Sequence, residues 1–280
     1  MLAFAGKKKK SHICPKPRVL FLSLNELLII IMILCIMSTI FLPLLLRIRS
    51  TMKTAMCAAN LKNISQATIA YVNDNSQHYP PAEIGELYRW HGTRENIKSQ
   101  IFDWKRSPLF EFIPKNKEIK ICPTMKNLLN SKKQSKRSNY IDGGFGYGYN
   151  KNIGSQRCEN SIDFWKKPCQ ELGLTKRQVK EPSKTAMFSD TAALLDPMGK
   201  LNVKGVISEY AFCNPYYITN KGKKAWPTQM PSVHFRHNNM ANISWCDGHV
   251  SKEKFKYSID DWGESCLGFP GEPSVNIFSP

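Results

Sequence analysis

The chain has 280 residues, 42% of them hydrophobic, and its 40 Lys and Arg against 22 Asp and Glu give a formal net charge of +18. That length holds one sizeable domain plus an anchor. The basic surplus suits anionic neighbours such as lipid headgroups, acidic polysaccharide or DNA, but no short basic–aromatic repeat marks a nucleic-acid module, so nucleic acid is not an expected partner.

Residues 1–21 form a basic leader containing Lys7–Lys10, Lys16 and Arg18. Val19–Leu46 follows and is almost wholly apolar; Leu27–Leu46 carries no charge and matches the roughly 20 residues that a spanning helix needs. More basic residues precede the span than follow it at Arg47 and Arg49. That imbalance predicts a single pass with the N-terminus cytoplasmic and the bulk of the chain outside. A cleaved secretory signal would have a shorter apolar core and a small-residue cleavage site, whereas RIRSTMK follows Leu46. Glu26 lies inside the apolar run, where a carboxylate at mid-membrane costs about 2.5–3.5 kcal/mol and persists when something pairs with it. Pro43 lies farther along the run, where neighbouring helices can re-satisfy the carbonyl it frees; a kink is expected there.

Beyond the span, Cys57, Leu61, Ile64, Thr68 and Tyr71 recur at helical spacing, one stripe that reads as core packing. The spacing predicts a long helix over 22–75 with its membrane half at 22–46, stopped before Pro80-Pro81. Residues 76–280 read as a head of short segments. Leu109–Ile113 reads as a short helix, Glu118–Cys122 as a strand and 126–142 as a basic flexible loop. Gly143–Asn150 alternates glycine and aromatics, as a strand under close backbone approach does. Thr185–Asp190 reads as a buried strand, and Val203–Tyr210 and Tyr216–Thr219 as edge strands. Asn242–Cys246, the turn Asp247-Gly248, and His249-Val250 read as a hairpin in which Cys246 faces His249. The fold class expected is α+β: a long N-terminal helix against an antiparallel sheet. Of the cysteines, Cys57 with Cys122 and Cys158 with Cys169 are candidate pairs, and the absence of any C-x-x-C argues against a zinc ribbon.

These islands, in order, resemble the type II secretion pseudopilin-like proteins that carry a prepilin-type N-terminal segment and a C-terminal H-X9-DG domain. FLSLNELLIII is similar to that family's FTLIELLVVI; CAANLKNI, YVNDNSQHYPP, Ile121-Cys122-Pro123, Phe145–Asn150 and PSKTAMFSD are similar to its later elements. Arg236-His237, nine residues, then Asp247-Gly248-His249 reproduces the signature. The resemblance implies a pilin-like head and processing by a prepilin peptidase between Phe21 and Leu22, with N-methylation of Leu22; Phe21 stands where the family has glycine. It further implies assembly with other pseudopilin subunits and the inner-membrane platform of a type II secretion or type IV pilus-like fibre, in which Glu26 pairs with the freed amine of a neighbouring Leu22. The alternative from another class is an unprocessed, membrane-tethered extracytoplasmic protein that binds acidic glycans.

His237, Asp247 and His249 admit three readings: hydrogen bonding that holds a loop to the hairpin, an ion site, or acid–base chemistry in a tethered metallohydrolase. Asp247 is well explained by its turn, which favours the first, and no G-x-S-x-G, H-E-x-x-H or phosphate loop occurs. The chain therefore reads as a non-enzyme with no assigned cofactor or metal. Heads of the related major class hold calcium, but no D-x-D-x-D run occurs here, so structural calcium stays open.

Overall fold

A computed structural model describes residues 23–85, 87–96, 99, 102–113, 121–131, 145–154, 173–195, 205–213, 231–258, 260–271 and 277–279. Phe21, Leu22, the Cys158–Cys169 pair and the expected strand at 216–219 lie outside them. The chain divides into two units, residues 1–48 and 49–280.

Helix α1 (Leu24–Asp74) is unbroken and runs through Pro43. It opens on a capping box. Ser23 Oγ accepts from Glu26 N at 3.3 Å, while Glu26 Oε2 accepts from Ser23 N at 2.8 Å and Ser23 Oγ at 2.9 Å. The reciprocal bonds satisfy amides that a helix start leaves without partners. In the first unit the described apolar side chains between Leu24 and Ile48, such as Leu28, Met32, Phe41 and Leu45, are exposed. This is the one helix among the described residues long and apolar enough to cross a membrane.

In the second unit, Cys57, Leu61, Ile64 and Thr68 are fully buried, with Tyr71 half-buried beside them. The stripe that the sequence spacing marks is thus the face α1 turns into the head. The main sheet has five strands in the order β11–β10–β5–β4–β8. They are β4 (Tyr147–Asn150), β5 (Ala186–Asp190), β8 (Phe212–Cys213), β10 (Met240–Trp245) and β11 (Val250–Lys254). The neighbouring pairs are antiparallel except β4 and β8, which run parallel, so the sheet is mixed rather than purely antiparallel. Smaller pieces surround it: β1 (Glu83–Ile84), β2 (Tyr88–Arg89) and β3 (Gly92–Thr93) form a meander. β6 (Ala193–Leu195) pairs with β7 (Val206–Ser208), and β9 (Val233–His234) with β12 (Leu267–Gly268).

Both faces of the sheet are covered. One core joins Cys57, Leu61 and Ile64 of α1 to Trp90, Tyr147, Tyr149 and Phe188; the other joins Ala241, Ile243 and Trp245 of β10 to Phe235 and Phe278. This explains why β10 is buried from Ala241 to Trp245 while its outward-alternating positions are the polar Asn242 and Ser244: they face the helix side and are held by hydrogen bonds.

Three segments differ from the expected ones. Residues 121–122 are not strand; Cys122 caps a second helix, α2 (Pro123–Ser131), which replaces the start of the expected basic loop. Proline suits the first helical position because its missing N–H has no partner there anyway. Leu109–Ile113 contains only a single 3₁₀ turn, Phe110–Phe112. In the β10–β11 hairpin, Ser244 pairs with Val250, and Trp245 N donates to His249 O at 3.0 Å while Gly248 N donates to Trp245 O at 2.8 Å. His249 therefore faces Trp245, their rings stacked with centroids 5.5 Å apart, and Cys246 does not oppose it. Gly248 takes φ +89°, so the loop is a three-residue one with glycine in the left-handed position.

Gly148 is where the tyrosine-flanked strand meets β8. A Cβ there would lie 2.5 Å from Thr191 Cγ2, 2.6 Å from Phe212 C and 2.7 Å from Phe212 O. Two of those atoms are backbone and cannot rotate away. Gly148→Ala is expected to destabilise the head by about 1–3 kcal/mol, read as a lowered denaturation midpoint, whereas an unchanged midpoint would show that β4 and β8 are not in this close contact.

Candidate functional site

The polar centre of the head is built on Asp190, the last residue of β5. Its side chain is completely buried together with that of Arg236. Asp190 Oδ1 accepts from Arg236 Nη2 at 2.6 Å; Oδ2 accepts from Asn242 N at 2.8 Å and Asn242 Nδ2 at 2.9 Å. His237 Nε2 stands 3.4 Å from the same Oδ2. Arg236 also donates to Gly146 O at 2.6 Å, to Thr191 O at 3.2 Å and, through Nε, to Cys122 Sγ at 3.2 Å. One guanidinium thus ties together β5, the entry to β4 and the cap of α2.

A tight turn puts Arg236 and His237 in place. His237 and Met240 exchange both backbone hydrogen bonds, at 3.0 and 3.1 Å, with Asn238 at φ 55° and Asn239 at φ 58°. This is a two-residue hairpin loop with both central residues left-handed, which asparagine tolerates better than most residues. The chain reverses there, so Arg236-His237 lie back against Asn242 and Asp190. His237 Nδ1 then meets Thr54 Oγ1 of α1 at 3.2 Å, and its Nε2 meets Cys122 Sγ at 3.7 Å. Cys57 of α1 completes the group: the ligand atoms of Cys57, Cys122 and His237 all lie within 4.8 Å of one another. The two cysteines that the sequence marks as a candidate pair are neighbours, and both are free thiols here.

Burial is the strongest influence on Asp190 and pushes its carboxyl above the usual carboxylate range, against the downward pull of Arg236 and His237. Burial also opposes the charge on Arg236, yet the facing Asp190 and Cys122 hold that guanidinium above its ordinary value. With donors on both oxygens of Asp190, the pair is an ionised one in a dry setting. Asn242 gives both of its donors to Asp190, and its own Oδ1 has no partner among the described residues. At Cys122 burial acts upward, but the Cys57 thiol, Arg236 and His237 outweigh it and bring the thiol down. Cys57 is pushed up, first by its bond to Cys122.

The other half of the signature does different work. Asp247 Oδ1 accepts from His249 N at 3.0 Å and faces His249 Nδ1 at 2.6 Å, so Asp247 caps its own turn, as its sequence position indicates. That turn is latched to α1, where Lys62 Nζ donates to Gly248 O at 2.7 Å. It is also latched to the 182–185 turn, where Cys246 N donates to Thr185 O and Asp247 N to Pro182 O. Arg236-His237 meet the hairpin at its first strand, through the His237–Met240 backbone bonds and through Asp190 on Asn242, while their other side-chain partners are Cys122 and Thr54. Likewise, among the described residues, His237 does not join Asp247 and His249 in a ligand group.

Thr54, Asp190 and Asn242 are absent from the site as read from sequence, and no local pattern announces them, because each acts through contacts between distant segments. Ser23 was legible: Ser-Leu-Asn-Glu is the Ser-x-x-Glu spacing of a capping box.

No protein-family model, curated protein or solved structure matches the chain.

Removing one member of a buried ion pair leaves an uncompensated charge, a loss of about 3–5 kcal/mol. Asp190→Asn should cost that much in denaturant unfolding, and Asp190→Asn with Arg236→Met should recover part of it. A double variant that is no more stable than Asp190→Asn alone would argue against the pair being the source of the loss.

Proposed function

We propose that the chain is a non-enzymatic, pseudopilin-like subunit anchored in the inner membrane by residues 22–46, with a pilin-like head on the extracytoplasmic side. The observation that carries this reading is α1. A single helix has an N-terminal part exposing leucine, isoleucine and methionine, and a later part whose stripe of Cys57, Leu61, Ile64 and Thr68 is sequestered in the head. Apolar surface of that extent calls for lipid or for other helices of the same kind, and a fibre of pseudopilin subunits offers the second after the membrane has offered the first. In this account prepilin peptidase cuts between Phe21 and Leu22, and the new amine of Leu22 meets Glu26 of a neighbouring subunit, which sets the stagger. Pro43 lies within the packed segment. The secretion platform and other subunits are its partners.

One observation favours the second reading, a tether that keeps its leader and uses a basic head to hold acidic glycans. Glu26 is already bonded within its own chain, by both donors of Ser23, so it does not require a neighbour's amine. The N-terminal residue and mass of the protein extracted from its native membrane separate the two. A chain beginning at N-methylated Leu22 is the expected result. A chain retaining residues 1–21 would overturn the fibre reading and leave the tether.

A further inference from the structure

We propose that Cys57, Cys122 and His237 form a closed site for a thiophilic d10 metal ion, zinc(II) by ligand chemistry, that staples α1 to the cap of α2 and to the β9–β10 turn. The inference does not depend on whether the chain enters a fibre or remains a tether.

Convergence is the first ground. Three residues from three segments far apart in sequence bring two sulfurs and one ring nitrogen within 4.8 Å of one another, and all three are buried. Two thiolates and an imidazole are a donor set that suits zinc, and the burial of all three keeps bulk water from the ion.

The second ground is the orientation of the imidazole. Thr54 Oγ1 donates its one hydrogen to Ser50 O at 3.1 Å, so toward His237 Nδ1, 3.2 Å away, it acts as acceptor. The ring's proton is then on Nδ1, and Nε2 carries the lone pair. That lone pair is directed at Cys122 Sγ, 3.7 Å away, and at Asp190 Oδ2, 3.4 Å away. Neither a Cys122 thiolate nor the Asp190 carboxylate, which already accepts twice from Asn242, has a proton to offer that lone pair. A cation bound by Nε2 and the two sulfurs gives the lone pair the electrophile its neighbours do not. A hydroxyl that fixes the distal nitrogen of a ligating histidine is the outer-shell arrangement metal sites use.

The third ground is charge. Cys122 Sγ accepts from Arg236 Nε at 3.2 Å and from the backbone N–H of Met125, donors that suit a thiolate rather than a thiol. A divalent ion cancels two thiolates, while Arg236 cancels Asp190, so the whole buried group becomes neutral. A disulfide between Cys57 and Cys122 is the competing use of the same sulfurs, but it gives no role to Nε2.

The test uses full-length protein extracted in detergent. Metal is quantified in the purified protein, and the cysteines are alkylated after denaturation in chelator without reductant. The expected result is stoichiometric zinc, with Cys57 and Cys122 both alkylated. A metal-free protein overturns the proposal, whether its two cysteines are joined as a disulfide or free. Cobalt(II) exchanged into the wild-type protein should give a thiolate-to-metal charge-transfer band, and its absence likewise overturns the site. That readout does not depend on whether variants fold. Cys57→Ser and His237→Gln should each lose the metal, and undiminished metal in both would place the ion elsewhere.

Discussion

The buried contact between Arg236 and Asp190 is the constraint on which the rest of the head depends. Its two side chains have no access to water, so neither can be left without the other, and everything they touch is fixed in turn. Arg236 reaches Gly146 ahead of β4, Thr191 after β5 and Cys122 at the cap of α2. Asp190 holds Asn242 in β10. His237, adjacent to Arg236, carries the connection on to Thr54 of α1. Burying charge opposes stability unless it is fully paired, and the number of donors gathered on Asp190 is what makes this arrangement tolerable. In return it specifies register: a slip of any one element by a residue leaves a charge unpaired in the core.

The helix is held at a second place without an ion pair. Lys62 bonds Gly248 O, and the turn bonds back to residues 182–185. The signature Arg236-His237…Asp247-Gly248 thus fastens α1 at both ends of β10, once through the Asn238-Asn239 turn that precedes it and once through the glycine turn that follows. The spacing between its two halves is set by the length of one strand and its turns. This gives the motif a mechanical sense: it holds one helix against one sheet.

Much of this architecture was legible because it rests on local rules. The Cys57–Thr68 stripe follows the helical period, Thr185–Asp190 has the apolar Ala186-Met187-Phe188 at its centre, and Gly148 sits between tyrosines where two backbones meet. Where the sequence misled, the deciding interaction was non-local or the turn chemistry was subtle. Asp-Gly favours a two-residue loop, yet Trp245 stacks on His249 and the bonds of Gly248 and His249 to Trp245 close a three-residue loop instead. Reading Cys122 as strand overlooked Pro123, whose fixed φ and missing N–H favour a helix start. The parallel placement of β8 beside β4 comes from long connections that no periodicity encodes. Glu26 was read for its charge in an apolar run, while the serine three residues earlier gives it a partner in its own chain.

Hydrogen exchange on the full-length Asp190→Asn protein tests the organising role of the ion pair most directly. If the pair anchors the head, protection falls at the β10 amides around Asn242 and also in α1 from Thr54 to Val72, which reaches the pair through His237 and through Cys57 and Cys122. Loss of protection confined to Asn242 and its β10 neighbours, with α1 as protected as in the wild type, would show that the helix is docked by its apolar stripe alone and would contradict the account.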